Sequence, residues 1–380
     1  MRTSGLDTIR AHRSSTGITL QRETPAQYPA DRPHRLTVGS YDEDGRPTYA
    51  EVLLDRDSVE IALQPGRVVV PDAKDDTWAK VRLDDTSLTN LATVLPKIED
   101  GRTRAVIWNS LRDATADAEL DPRVAFEVLL SAIPHEDSDI AIGSLLRWAE
   151  ERLLGLYLPY EPYRRRLAEV LTATLAQTQP GSSRQLAITR ALIGTSDDAD
   201  LLQHWLDGEE VPDGLQIDTD LRWSLVLRLV RLDVFGAVEI GAELARDRST
   251  EGVAAAAKCR AALPAGKEEA WARLMADAEV GVNELFAVAE GFWHPAQAEL
   301  TAPYVERYFS EIAGTAALRF GMALPLATSR IFPRFAVGER TVELAGQVIA
   351  DDNVAPSIGR SVADATDDLR RALAVRRTFG

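Results

Sequence analysis

The five histidines are the first side chains to consider for chemistry, because a zinc peptidase needs two histidines one helical turn apart and a third ligand. They are His12, His34, His135, His204 and His294. No two of them lie within three to five positions of each other. His135-Glu136 begins like the zinc motif H-E-x-x-H, but it continues as Asp137-Ser138-Asp139 without the second histidine. The sequence therefore predicts no metal ligand in this chain and a solvated loop at His135.

Other catalytic motifs are also missing. The sequence has no G-x-x-x-x-G-K-[ST] phosphate loop, no G-x-G-x-x-G after a strand and no G-x-S-x-G nucleophile elbow. The one cysteine, Cys259, has no histidine near it in sequence and is expected to be a buried thiol on a helix. Paired carboxylates occur at predicted helix starts and turns, where negative charge complements the helix dipole: Asp197-Asp198, Glu209-Glu210, Asp351-Asp352 and Asp367-Asp368. We therefore predict no catalytic residue and no complete catalytic site.

The elements that would position a site differ between two parts of the chain. Residues 1–82 contain short runs such as GITLQRE, RLTVGSY and TYAEVLL, several of which alternate apolar and polar residues as half-buried strands do. Turn residues separate the runs at Asp42-Glu43-Asp44-Gly45 and at Gln64-Pro65-Gly66, and both turns have the composition of hairpins. This part is predicted to be a small antiparallel β-sandwich domain.

Residues 83–380 are predicted to form short amphipathic helices in succession. Asp84 precedes the first helix, and Asp121 followed by Pro122 suits the start of another. Pairs of such helices must stack to bury both faces, which favours a large α-superhelical domain of the HEAT/ARM type with a concave binding surface. The fold class is therefore predicted as mainly α, with a small β-sandwich before the helical domain.

Six tryptophans lie in or beside these helical segments, and packing between helices is their expected role: Trp108, Trp148, Trp205, Trp223, Trp271 and Trp293. The cluster Gly291-Phe292-Trp293-His294-Pro295 is the least ordinary of these segments. We expect it to form the junction at which one helix ends and the next begins.

The charge of the chain disfavours two classes of partner. The 380 residues include 59 Asp and Glu against 43 Lys and Arg, a net charge of −16. Phosphate-rich surfaces are bound by clustered positive charge, and no long Lys/Arg run occurs, so neither nucleic acid nor a membrane is an expected partner. The chain has no apolar run near the roughly 20 residues that span a bilayer, and the N-terminal residues do not resemble a signal peptide. A cytoplasmic location is expected.

The order of several segments resembles the M1-family zinc aminopeptidases of the actinobacterial aminopeptidase N type. TSGLDTIRAH, ITLQRETPAQ and PHRLTVGSYDEDGR resemble the β-sandwich domain that follows the catalytic domain. DTDLRWSLVLRLV, EEAWARLMAD, EGFWHPAQAELTAPYVERYFSEI and SRIFPRFAV resemble the helical C-terminal domain of that family, also called the ERAP1-like domain. The resemblance covers essentially the whole chain in order.

The resemblance implies a hydrolase family whose catalytic residues have no counterpart here. The H-E-x-x-H zinc helix and the G-x-M-E-N substrate loop of the family lie before the β-sandwich. The resemblance therefore implies that zinc is expected only in a missing or separate catalytic domain, that this chain binds no cofactor, and that it is inactive alone. Its expected partners are a peptide substrate and that M1 catalytic domain.

The resemblance also implies one substrate-binding residue. The helical domain of the family contributes an arginine to the substrate chamber from a Ser-Arg-aliphatic segment, and Ser329-Arg330-Ile331 resembles that segment. Arg330 is therefore the predicted contact to peptide, with Arg334 as the weaker alternative. A planar guanidinium suits a carboxylate or carbonyl, although an arginine at this position also suits capping of its own helix.

Three functional hypotheses stay open on the sequence. The chain is a fragment of a longer aminopeptidase, one half of a split enzyme, or an independent helical-repeat scaffold that binds a protein or peptide without any peptidase role. In the first two cases it would enclose the substrate chamber.

Overall fold

The computed structural model describes residues 5–29 and 32–380. The first two residues of the TSGLDTIRAH segment and the first four of the predicted β-sandwich domain lie outside the described residues. The chain forms two compact units. The first runs to Leu145 and includes Phe379, and the second runs from Leu146 to Thr378 and includes Gly380.

Within the described residues of the first unit, seven strands form two sheets. They are β1 Thr8–Arg13, β2 Ile18–Glu23, β3 His34–Tyr41, β4 Pro47–Leu54, β5 Ser58–Ile61, β6 Val68–Val70 and β7 Lys80–Arg82. One sheet has the order β5-β2-β1-β7, and the other has the order β4-β3-β6. Every pairing is antiparallel except that of β1 with β7, which is parallel. The predicted small β region is confirmed, with this one parallel pair added to it.

Alternating apolar residues of both sheets form a shared core. Ile9 and Leu20 from one sheet pack in the same buried cluster as Val38 and Leu54 from the other. Alternation places these side chains on one face of each sheet, and their burial stabilises each by about 1.5–3 kcal/mol.

Only one of the two predicted hairpin turns is a hairpin. The Asp42 carboxylate accepts the backbone N–H groups of Asp44 and Arg46, and Gly45 supplies a φ of 75°, so this turn joins β3 to β4. The prediction for Gln64-Pro65-Gly66 was wrong, because this segment connects β5 in one sheet to β6 in the other.

Sixteen α-helices account for most of the remaining described residues. They are α1 Asp85–Val94, α2 Gly101–Ala116, α3 Pro122–Ala132, α4 Asp139–Trp148, α5 Tyr160–Leu175, α6 Ser183–Thr195, α7 Ala199–Asp207, α8 Thr219–Arg231, α9 Ala237–Arg246, α10 Thr250–Ala262, α11 Lys267–Met275, α12 Val282–Phe292, α13 Ala298–Glu311, α14 Ala323–Ile331, α15 Glu339–Ala350 and α16 Pro356–Phe379. The mainly α fold class is thereby confirmed.

Side-chain caps explain where several helices begin. Asp84 accepts the N–H of Ser87, and Asp121 accepts the N–H of Arg123 with Pro122 as the first helical residue. Both starts agree with the sequence prediction, because a side-chain carboxylate satisfies one of the N–H groups that a helix start leaves unpaired.

Alternate helices pack on one another in the second unit. Contacts run from α6 to α8, from α8 to α10, from α10 to α12 and from α12 to α14, while α7, α9 and α11 pack beside them. This is the arrangement of stacked helix pairs that the sequence predicts. Gly291 permits the closest approach, because a Cβ at this position would lie 2.1 Å from the Lys258 carbonyl oxygen on α10.

The buried aromatic residues agree with the predicted packing role. All six of the predicted tryptophans are buried, and Trp271 contacts Phe292, Trp293 and Tyr304 in the core of the second unit. Cys259 is also buried, and burial raises the pKa of its thiol to about 12. The thiol is therefore unreactive at neutral pH.

The strands end at Arg82 and the first helix begins at Asp85, whereas the two compact units divide at Leu145. The predicted domains, residues 1–82 and 83–380, stay a prediction. None of the helices in the described ranges has both the length and the apolar character that a membrane crossing requires. The cytoplasmic location also stays a prediction.

Candidate functional site

A cavity of about 540 Å³ lies in the second unit. Four of its helices, α6, α8, α12 and α14, reach it near their C-terminal ends, with Thr195, Arg231, Glu290 and Arg330 in its wall. The unpaired carbonyl groups at a helix C-terminus carry a partial negative charge. The stacking of alternate helices therefore gives this cavity a wall of helix ends.

Both predicted substrate-binding residues line this cavity. The Arg330 guanidinium lies 5.3 Å from the centre of the Phe286 ring, and the Arg334 guanidinium lies 4.6 Å from that of Phe335. These are cation–π distances, and they leave the N–H donors of both arginines available. Their role in substrate binding stays a prediction.

Arg330 does not cap its own helix in the described structure. The carbonyl oxygen of Ile331, at the end of α14, instead accepts the indole N–H of Trp293 at 2.7 Å. In the described ranges, neither Arg330 nor Arg334 has a carboxylate within ion-pair distance.

Arg231 is a third guanidinium in the same wall, and the sequence analysis did not single it out. Its Nη2 donates weakly to the Glu290 carbonyl oxygen at 3.4 Å, and its buried Nε has no hydrogen-bond partner among the described residues. Burial lowers the pKa of Arg231 from its usual value, and a guanidinium stays charged in a protein regardless.

Two glutamates face the cavity from a π-helical turn, Ala149–Leu153, in which the Leu154 N–H donates to the Ala149 carbonyl oxygen. The Glu150 side chain is exposed to the cavity, and the protein around the cavity raises its pKa to about 7 by desolvation, although Arg231 opposes the shift. Glu151 lies beside it in the wall. Within the described part of the chain, neither carboxylate has a cation within ion-pair distance.

Glu290 differs from these two glutamates because it has a partner. It forms an ion pair with Lys258 on α10. Burial would raise the pKa of Glu290, but Lys258, Arg231 and Arg330 together hold the pKa below its usual value. The charge of Glu290 is therefore largely compensated within the protein.

The cluster at Gly291–Pro295 has two roles. It forms the predicted junction, since α12 ends at Phe292 and a short 3₁₀ turn at Pro295–Gln297 leads into α13. Trp293, His294 and Pro295 also line the cavity, which the sequence analysis missed.

His294 serves as a neutral wall residue. Its Nδ1 accepts the Ala296 N–H at 3.2 Å, so its proton is on Nε2, which lies 3.3 Å from the Tyr160 hydroxyl. Burial, together with nearby Arg231 and Arg228, lowers the pKa of His294 well below its usual value. A neutral imidazole adds no charge to the cavity at neutral pH.

The residues present do not fit a zinc ion. No cluster of three His, Cys, Asp or Glu side chains in the described structure has the geometry to hold a metal. At the H-E-like segment, His135 is exposed as expected for a solvated loop, while the Glu136 carboxylate is buried against Arg104 at 2.8 Å. That this chain binds no cofactor stays a prediction.

Comparison with known proteins gives a family. Residues 68–371 match the profile of the ERAP1-like C-terminal domain. Aminopeptidase N of Streptomyces lividans is 32% identical over 407 aligned residues, which cover 98% of this chain and 47% of that protein. The chain thus spans about half the length of the curated relative that it matches. The predicted resemblance to the C-terminal part of the M1-family aminopeptidases is confirmed.

A solved structure of Legionella pneumophila aminopeptidase A in complex with aspartic acid has a TM-score of 0.48 and 12% identity, covering 96% of this chain and 49% of that one. The family follows from the profile, which covers most of the chain. The chain belongs to the ERAP1-like C-terminal domain family.

Proposed function

We propose that this chain is the non-catalytic C-terminal region of an aminopeptidase N-like peptide hydrolase, and that its cavity encloses part of the substrate chamber. Arg330 would contact the peptide there, with Arg334 and Arg231 beside it. The observation that supports this most strongly is the presence of three arginines without ion-pair partners, in the described structure, in one cavity.

The physical argument concerns N–H donors that a ligand can reach. Arg330 and Arg334 are exposed in the cavity wall and have no ion-pair partner among the described residues. Guanidinium groups form short, charge-assisted hydrogen bonds with carboxylates, often two at a time. The C-terminal carboxylate of a peptide is therefore the group that best satisfies this part of the wall.

Binding of one peptide in two forms tests the proposal. A fluorescent peptide with a free C-terminal carboxylate should bind, and the same peptide with a C-terminal amide should bind about tenfold more weakly, because a hydrogen bond to a charged group contributes about 1.5–3 kcal/mol. Arg330→Gln should remove most of this difference. Arg246→Gln is the matched control, because Arg246 is exposed on α9 and outside the cavity. Equal binding of acid and amide by the unmodified chain would contradict the proposed contact.

The absence of catalysis has its own test. The purified chain, supplied with zinc and an alanyl or lysyl chromogenic substrate, should show no turnover. Turnover that a chelator abolishes would contradict the proposal that the chain is non-catalytic.

The alternative is an independent helical-repeat scaffold that binds a protein or peptide without a peptidase role. A purified M1 catalytic domain, offered to the immobilised chain, discriminates between the two. Association with that domain supports the aminopeptidase proposal, while peptide binding without such association favours the scaffold.

A further inference from the structure

The cavity wall holds both positive and negative side chains without ion-pair partners. A ligand carboxylate alone would pair only with the positive ones. Three arginines and the two glutamates of the π-helical turn lie in its wall without ion-pair partners in the described structure. An isolated peptide carboxylate would approach Arg330 but would also meet Glu150 and Glu151. A ligand that carries a cation close to its carboxylate would meet complementary charge for both groups.

The C-terminal ends of the helices around the cavity also favour a cationic ligand group. Four helices bring their C-terminal ends to this cavity, and each end favours positive charge. Arg231 and Arg330, each in the last turn of its helix, compensate two of these ends. The ends of α6 and α12 contribute Thr195 and Glu290, which supply no positive charge.

A smaller cavity of about 290 Å³ adjoins the first and shares Glu151, Ser329, Phe332 and Arg334 with it. Its wall adds Asp364 and Asp368 from α16. Asp368 is paired with Arg152 at 2.8 Å, whereas Asp364 has no ion-pair partner in the described ranges. Among the charges of this wall that have no ion-pair partner in the described ranges, Glu151 and Asp364 are carboxylates and Arg334 is a guanidinium, so the space is negative on balance.

The adjoining cavity also suits the stem of a long side chain. Phe332, Leu156 and Leu369 line it together with the carboxylates. Lysine and arginine bury their methylene groups against apolar surface and keep their charged ends beside polar groups. A short or acidic side chain would leave the carboxylates without a partner or would repel them.

We infer that this site selects peptides whose C-terminal residue has a cationic side chain, lysine or arginine. The arginines Arg231 and Arg330 bind the C-terminal carboxylate, and the side chain passes Glu150 and Glu151 toward Asp364. This inference rests on the proposed function, since it names the substrate class of the same cavity.

A series of peptides that differ only in the last residue tests the inference on the unmodified chain. Fluorescence anisotropy with peptides that end in Lys, Ala or Glu should give about tenfold tighter binding for Lys than for Ala, and weaker binding still for Glu. The preference for Lys should shrink for Glu151→Gln and for Asp364→Asn. Glu209→Gln, at an exposed position outside both cavities, should keep it.

The outcomes separate this inference from the proposed function. Equal affinity for the Lys, Ala and Glu peptides, with loss of binding in Arg330→Gln, would overturn the inference and leave the proposed function standing. Failure of every free-acid peptide to bind would overturn both. A preference for Lys that survives C-terminal amidation would overturn the placement of the carboxylate and therefore the inference.

Discussion

Charged side chains are treated differently in the first unit and at the cavity of the second. In the first unit, the Arg82 side chain is only 4% exposed and is paired with Asp117 at 2.6 Å and Glu119 at 2.9 Å. At the cavity, Arg231, Arg330 and Glu150 have no ion-pair partner in the described structure. A charge that has its partner inside the protein holds the fold together, whereas an unpaired charge on a cavity wall is available for a ligand.

The difference is a property of the cavity and not of the helical unit as a whole. Elsewhere in the second unit, Arg164 forms ion pairs with Glu161 and Asp197, and Arg222 is paired with Glu243 at 2.7 Å. These arginines connect neighbouring helices and loops. Lys267 and Arg319 also lack a carboxylate partner in the described second unit, but they lie outside the cavity and donate to backbone carbonyl oxygens instead.

The largest expected effect is on stability, from a paired charge. Arg82→Met should lower the free energy of unfolding of the first unit by about 2–3 kcal/mol, because Asp117 and Glu119 lose their hydrogen bonds to a buried guanidinium, while Lys80 and Arg10 stay paired with them. Urea unfolding followed by circular dichroism measures this loss. Peptide binding should stay unchanged. An unaltered unfolding midpoint would contradict the statement that paired charges of the first unit stabilise the fold.

Lys267 tests a buried amine whose hydrogen-bond partners are neutral, and burial lowers its pKa to about 7. Its ammonium group donates to the carbonyl oxygens of Ala261 and Phe292 at 2.8 Å and to Gln297 Oε1 at 2.9 Å. Lys267→Met should destabilise the second unit by about 2 kcal/mol, since three acceptors lose their donor. Thermal unfolding is the measurement, with Lys258→Met as a control on a more exposed lysine. Equal shifts for the two variants would contradict the structural role of Lys267.

For an unpaired charge we expect a large effect on peptide binding and a small effect on stability. Arg330→Gln should weaken peptide binding about tenfold while changing stability by no more than about 0.5 kcal/mol, as is usual for a surface position without a structural partner. Anisotropy and urea unfolding on the same preparation measure the two effects. A large loss of stability in this variant would mean that Arg330 supports the fold.

The smallest expected effect is a dependence on pH. The pKa of Glu150 is raised to about 7 by desolvation, and the charged groups that influence it are Arg231, Glu151, Arg147 and Glu290. Glu150 is mainly neutral at pH 6 and mainly ionised at pH 8, so affinity for a peptide that ends in lysine should rise about threefold between them. Glu150→Gln should flatten this profile, and a flat profile in the unmodified chain would contradict the role of Glu150.

The same raised pKa has an effect of known sign on stability. Between about pH 4.5 and pH 7 the folded chain keeps a proton on Glu150 that the unfolded chain has lost, so this group makes the fold less stable as pH rises through that window. Glu150→Gln should remove this contribution. The urea midpoint of this variant should therefore change less between about pH 4.5 and pH 7 than that of the unmodified chain.

Local sequence accounts for much of the fold. Asp84 and Asp121 cap helices as predicted, and Asp42 with Gly45 forms a hairpin turn, because these features depend on neighbours in the chain. Gln64-Pro65-Gly66 has the same turn composition but joins two sheets. The packing of the two sheets decides whether a turn joins neighbouring strands or crosses between sheets, and the three turn residues alone do not determine that packing.

The site was less accessible to sequence reasoning. Arg330 and Arg334 were identified by a resemblance, and the structure places both in one cavity. Arg231 lies at the end of an apolar helical pattern, LVLRLVRL. A charged residue at the end of such a buried helix was the sequence feature that could have identified Arg231 as a wall residue. Glu150 and Glu151 had no such signal, because a π-helical turn directs them to the cavity and their lack of partners is a property of the folded chain.

The most direct test of the account locates the end of a bound peptide. A peptide with a photoreactive benzophenone next to its C-terminal lysine, cross-linked to the chain and mapped by mass spectrometry, reports which residues surround it. Cross-links should concentrate on the cavity wall, at Phe286, Trp293 and Phe332. Cross-links confined to the strands of the first unit, or unchanged in number by Arg330→Gln, would contradict the account.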